Sequence, residues 1–194
     1  MTEILIGLGQ LLAVDADNLA GDLPTTSVRV AGVEATLRSG DDFRVWNALS
    51  RAPQPLDSLP SAVVTPDAPG PAELRGAVER LRDAGLVVGV AEGVAHLELA
   101  MRIRLLPLWR ANTAELATPE RYPIGTATTT VLSLTGPQHA VWSILDERNR
   151  IADVAVGTAV LAGDDDVERH LPAAWAGCIE LVRLGAAYFD VVIA

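Results

Sequence analysis

The chain has 194 residues, enough for one large domain or two small ones with a buried core. Hydrophobic residues make up 49% and charged residues 21%, a balance that excludes an intrinsically disordered chain. All 15 basic residues are arginine and stand against 25 acidic ones, so the net charge of −10 disfavours general nucleic-acid binding, and the missing lysine excludes Schiff-base and P-loop-lysine chemistry.

The first ten residues are mostly apolar but carry Glu3 and no basic lead-in, so no secretory signal is expected. Thr26 to Arg38 brings β-branched residues around Ala31-Gly32, which predicts a hairpin. Asp41 or Asp42 is then expected to cap a helix with Phe43, Val45, Trp46 and Leu49 at helical spacing, stopped by Pro53. A short second helix is expected over Leu56 to Val63, where Pro60 falls in the first turn and removes only a donor that had no partner. Gly70-Pro71 opens a third, with Leu74, Ala77, Val78 and Leu81 on one face and Gly85 supplying the left-handed residue at its end. Leu86 to Val90 and Val94 to Leu99 read as a closing hairpin across Ala91-Glu92-Gly93.

The second half repeats this order. Thr128 to Leu134 supplies a strand, Pro137 to Glu147, Ile151 to Val160 and Asp164 to Leu184 three helices, and Tyr188 to Ile193 a last strand, with a kink or restart expected at Pro172. At an offset of about 96 residues, Ser39 to Leu49 aligns with Thr135 to Leu145, so that Val45-Trp46 with Leu49 recurs as Val141-Trp142 with Leu145. Leu81 to Leu86 aligns with Leu181 to Ala186 at an offset of 100, and Leu11 to Ala20 resembles Leu108 to Ala117. The expectation is an α+β chain of two tandem winged-helix-like units, each a β-hairpin, three helices and a wing, at 1–99 and 100–194 and related by internal duplication.

Catalytic chemistry finds little support. Gly7-Leu8-Gly9 starts like a dinucleotide fingerprint, but Leu12 stands at the third glycine position and no βαβ unit follows. Asp164-Asp165-Asp166 reads as a helix cap rather than a cation site. His96, His139 and His170 lack zinc-ligand spacing, and Cys178, the only cysteine, falls on an apolar helix face where a thiol is inert and has no disulfide partner. No catalytic residue, metal or cofactor is expected, and the reading is non-enzymatic. Trp46 and Trp142 are expected to plug the cores of their units rather than form a stacking cage, while Trp109 and Trp175 occur in the second half alone. The longest later apolar stretch, Val154 to Gly163, is shorter than the ~20 residues a spanning helix needs. A cytoplasmic protein without membrane contact is expected.

A winged helix brings DNA binding to mind, with the third helix as reader. The first copy offers Arg75, Arg80 and Arg82 against Glu73, Glu79 and Asp83, and the second is net acidic there, with Arg169 and Arg183 against five carboxylates. Arg75, Glu79 and Arg82 also suit i,i+3 and i,i+4 ion pairing on a solvated face. A peptide or protein partner fits better, because an exposed strand edge accepts an extended peptide while a neighbouring helix shapes a groove for its side chains.

The strand Val33 to Arg38, the helix bearing Phe43, Val45-Trp46 and Leu49, the Leu56-Asp57-Ser58-Leu59 turn and Leu74 to Leu86 together resemble the PqqD-like domain, the recognition element that binds leader peptides of ribosomally made natural products. The second copy resembles it through Val141-Trp142, Leu145 and Leu181 to Gly185, and Leu106 to Arg110 with Ala114-Glu115-Leu116 resembles the opening of the leader-binding portion in ThiF-like partners of azoline-forming cyclodehydratases. The resemblance implies a peptide along the third strand and against the third helix: Val33, Ala35 and Leu37 with Arg75, Val78, Glu79 and Arg82 in the first copy, and Thr130, Leu132, Trp175, Ile179 and Val182 in the second. The partners it implies are a precursor leader peptide and its modifying enzyme. A DNA-binding regulator and a self-associating, homodimeric scaffold are the alternatives.

Overall fold

The computed structural model describes residues 2–14, 26–37, 39–63, 69–111, 118, 120–145 and 150–192. The fold is mixed α+β with small sheets. It divides into two compact units, one made of residues 1–92 with 189–194 and the other of residues 93–188. The cut at 99/100 drawn from the sequence therefore differs at both ends.

The first unit opens with β1 (Glu3–Gly7), which pairs antiparallel with β6 (Val87–Ala91) on one side and with the two-residue β5 (Gln54–Pro55) on the other. The wing thus differs from the expected hairpin. Val94 to Leu99 forms no strand, the partner of β6 is the N-terminal segment, and Leu97–Arg102 is a helix, α4, with Ala100 buried. Leu97-Glu98-Leu99 alternates like a strand, but a helical turn that buries Ala100 wins. A three-stranded antiparallel meander follows β1: β2 (Gln10–Val14), β3 (Thr26–Val30) and β4 (Val33–Leu37), with β4 at its edge. Gly9 enters β2 at φ +89, and a Cβ there would collide with the Arg29 carbonyl, so Gly7-Leu8-Gly9 serves a strand connection.

Helix α1 (Gly40–Arg51) is capped by Ser39, whose hydroxyl accepts the Asp42 N–H at 3.1 Å. The expected caps, Asp41 and Asp42, instead occupy the first turn, because the serine hydroxyl already reaches the orphan donor. A 3₁₀ turn over Leu56–Ser58 leads into α2 (Leu59–Ala62), and α3 (Pro71–Asp83) follows. Val45, Trp46 and Leu49 of α1 meet Leu59, Leu74, Val78 and Leu81 in one buried cluster. Burying one such aliphatic side chain contributes about 1.5–3 kcal/mol. The Trp46 indole donates to the Leu8 carbonyl at 2.8 Å, so its one polar atom stays paired in the core.

In the second unit, α4 precedes β7 (Ile103–Pro107), which pairs with the start of β11 (Ala187–Val191). β8 (Arg110–Ala111), β9 (Tyr122–Gly125) and β10 (Thr130–Leu134) form a meander with β10 at its edge. Three helices follow: α5 (Gly136–Ile144), α6 (Ile151–Ala162) and α7 (Val167–Arg183). Helix α7 continues through Pro172 without the restart that was one of the two expectations there, and it buries Leu171, Trp175, Cys178 and Leu181. Trp142 is only half-buried, unlike Trp46, and stands in a row with His139 and Tyr122. Helices α3 and α7 end alike, on Gly85 and Gly185 at φ +70 and +71. The next residue's N–H returns to Leu81 in one case and Leu181 in the other.

Candidate functional site

The β3–β4 hairpin fixes which backbone groups are free. Val30 and Val33 flank a two-residue turn and exchange their hydrogen bonds, and the same phase applies to Val28 with Ala35 and Thr26 with Leu37. The N–H and C=O of Glu34 and Thr36 therefore point away from β3, out of the sheet edge. Side chains alternate in the same register, with Ala35 half-buried and Leu37 buried on one face and Glu34 and Thr36 exposed on the other. Val33 shares the inner face but lies past the core and is 68% exposed.

Between β4 and the end of α3 runs a groove of about 520 Å³, lined among others by Ala35, Leu37, Asp42, Arg80, Leu81 and Ala84. One ion pair crosses its wall. Arg80 Nη2 and Nε both donate to Asp42 Oδ1, at 2.7 and 3.0 Å. The Asp42 side chain is 7% exposed and that of Arg80 is 56% exposed, so a buried carboxylate fixes a guanidinium whose far side meets solvent. The groove thus offers an apolar floor, one oriented cation, the exposed Asp83 carboxylate beside it and a row of strand groups that no described strand pairs.

Of the residues drawn from the resemblance, Ala35 and Leu37 line this groove and Val33 continues their face. Val78 is a core residue. Arg75, Glu79 and Arg82 are exposed on the opposite flank of α3, where Arg82 pairs with Glu3 of β1 at 2.7 Å. The groove side of the helix carries Arg80, Leu81 and Ala84 instead, and these, with Asp42, went unpredicted. A stripe of buried residues has two charged flanks, and the sequence alone names neither as facing β4.

In the second unit, Thr130 and Leu132 lie half-buried on the edge strand β10, while Trp175, Ile179 and Val182 are buried in α7 and unavailable at the surface. Gln138 and Glu180, which align with Asp42 and Arg80 at the repeat offsets, are joined by a 2.7 Å hydrogen bond from Gln138 Nε2 to Glu180 Oε1. The exposed cation of the first unit is thereby replaced by an anion.

Asp166 caps α7 by accepting the Arg169 N–H, and Asp164 accepts the Asp166 N–H while its other oxygen meets His170 Nε2 at 3.1 Å. The Asp166 backbone N–H, together with His170, holds the Asp164 carboxyl below its usual range. Burial lowers the His139 imidazole, and pushes the Cys178 thiol up to about 12. Among the described residues no three His, Cys, Asp or Glu side chains group as metal ligands, and no helix is long and apolar enough to cross a membrane. Comparison with protein-family models, with curated proteins and with solved structures found no match to this chain.

Proposed function

We propose that the chain is a non-enzymatic peptide-binding adaptor of two winged-helix-like units related by internal duplication. In this reading the first unit takes an extended peptide as an added strand on β4. The observation that carries it is the juxtaposition of an open strand edge, at Glu34 and Thr36, with the groove on α3. Main-chain hydrogen bonds supply affinity there, and alternate side chains of the peptide reach the apolar floor and Arg80. The shared element order, the matched endings at Gly85 and Gly185 and the recurring Val-Trp pair support the duplication. The partner class is a precursor leader peptide acting with its modifying enzyme, and the setting a cytoplasmic biosynthetic pathway.

Thr36→Pro tests the reading. Proline is tolerated on an edge strand where the lost N–H faces outward, so the hairpin stays folded while one donor to the incoming strand disappears. Peptides selected from a random library on the purified chain should bind the variant about five- to tenfold more weakly by fluorescence anisotropy, the worth of about 1 kcal/mol for one hydrogen bond. Undiminished binding to a folded Thr36→Pro chain, for selected peptides that Arg110→Glu leaves equally well bound, rules out strand addition on β4. A gel shift of random duplex DNA at low salt, sensitive to added salt, would turn the reading toward a regulator.

A further inference from the structure

We propose that the outer face of β7 in the second unit is a separate binding site for acidic peptides that also carry apolar side chains. Along β7, Ile103 and Leu105 are buried, so Arg104 and Leu106 project from the opposite face and remain half-buried. The chain continues through Leu108, 41% exposed, to Trp109 and Arg110, and Tyr188 of β11 joins them. Arg104, Leu106, Leu108, Trp109, Arg110 and Tyr188 line a cavity of about 420 Å³, the size range of small-ligand and side-chain pockets.

Charge selects the occupant. Among the described residues, two guanidinium groups and no carboxylate line this cavity in a chain of net charge −10, so they make a local cationic spot on an acidic molecule. Arg110 makes no ion pair with any described residue, and its short strand, β8, is held by pairing with Gly125 and Ile124. The walls are equally specific. Two leucines, an indole and a phenol ring would lie idle against a bare anion, whereas an extended segment alternating carboxylate and apolar side chains satisfies both the exposed Arg110 and the walls. The strip is held in place before binding. The Trp109 indole donates to the Gly185 carbonyl at 2.9 Å and the Leu108 N–H to the Ala186 carbonyl at 2.9 Å.

The test uses the full chain and a fluorescein-labelled twelve-residue peptide alternating glutamate and leucine, read by anisotropy at low salt. Binding is expected, with a loss of at least tenfold for Arg110→Glu, a smaller loss for Arg110→Gln, weaker binding of the glutamine–leucine counterpart, and no change for Thr36→Pro. That last arm separates this site from the β4 groove, since an acidic peptide held there would respond to Thr36→Pro and ignore Arg110. The proposal is overturned by no binding of the acidic peptide, by equal binding of the glutamine peptide, or by wild-type affinity in both Arg110 variants. Tighter, Arg110-dependent binding of a single-stranded oligonucleotide overturns it too. Circular dichroism checks the fold, and Arg110→Gln decides the matter should the glutamate variant unfold.

Discussion

Cys178 shows how burial alone disarms a reactive group. Its thiol is fully enclosed in α7, and with no charge to offset desolvation its pKa rises from an ordinary value near 9 to about 12. The folded chain should therefore resist alkylation by iodoacetamide at pH 8 and react fully once denatured, which mass spectrometry reads directly. The same shift carries a pH dependence. Below pH 9 both states hold the proton and the thiol leaves stability unchanged; between pH 9 and about 12 the unfolded chain loses it while the folded chain keeps it, so stability falls as pH rises. Urea denaturation from pH 8 to 10.5 should show a steeper decline for the parent than for Cys178→Ala, by up to about 1 kcal/mol per pH unit. Parallel declines would mean that the thiol is less enclosed than described.

The hairpin that carries the candidate site is itself under local strain. Its turn places both Ala31, at φ +53, and Gly32, at φ +79, in the left-handed region that the strand twist demands. Alanine tolerates this poorly, whereas asparagine adopts it readily, and the Ala31 N–H keeps its 2.7 Å bond to Asp190 Oδ1 whatever the side chain. Ala31→Asn should stabilise the chain by about 0.5–1 kcal/mol, a rise of roughly 1–4 °C in Tm by calorimetry. A lowered Tm would contradict the turn geometry. That hairpin was legible in the sequence because its determinants are local: β-branched runs around Ala-Gly. So were α1 and α3, whose apolar stripes recur at helical spacing. β1 was not, since Ile4-Leu5-Ile6 is a bare apolar run whose main partner, β6, lies some eighty residues away. The site divided along the same line. Ala35 and Leu37, which the resemblance named, share the inner face of one local strand, while the Asp42–Arg80 pair joins two helices 38 residues apart and has no local signature.

At the scale of the whole molecule, the two units are not two consecutive halves. Phe189 and Asp190 close the first unit from the far end of the chain. Phe189 is 1% exposed, its carbonyl accepts the Gly9 N–H at 2.7 Å, and the Asp190 carboxylate accepts the Ala31 N–H. A fragment cut where the sequence repeats divide, residues 1–99, keeps all three helices of the first unit yet lacks these contacts. Losing the partners of two backbone donors, at about 1 kcal/mol or more each, removes a sizeable part of a typical 5–15 kcal/mol margin. Residues 1–99 alone should unfold at a much lower urea midpoint than the same fragment carrying residues 189–194 on a flexible glycine–serine linker. Because the linker adds no contacts of its own, recovery with the native tail and a smaller recovery with a tail bearing Asp190→Ala assigns the difference to the carboxylate that accepts the Ala31 N–H. Equal midpoints for all three fragments would mean that the first unit is complete without its returning strand.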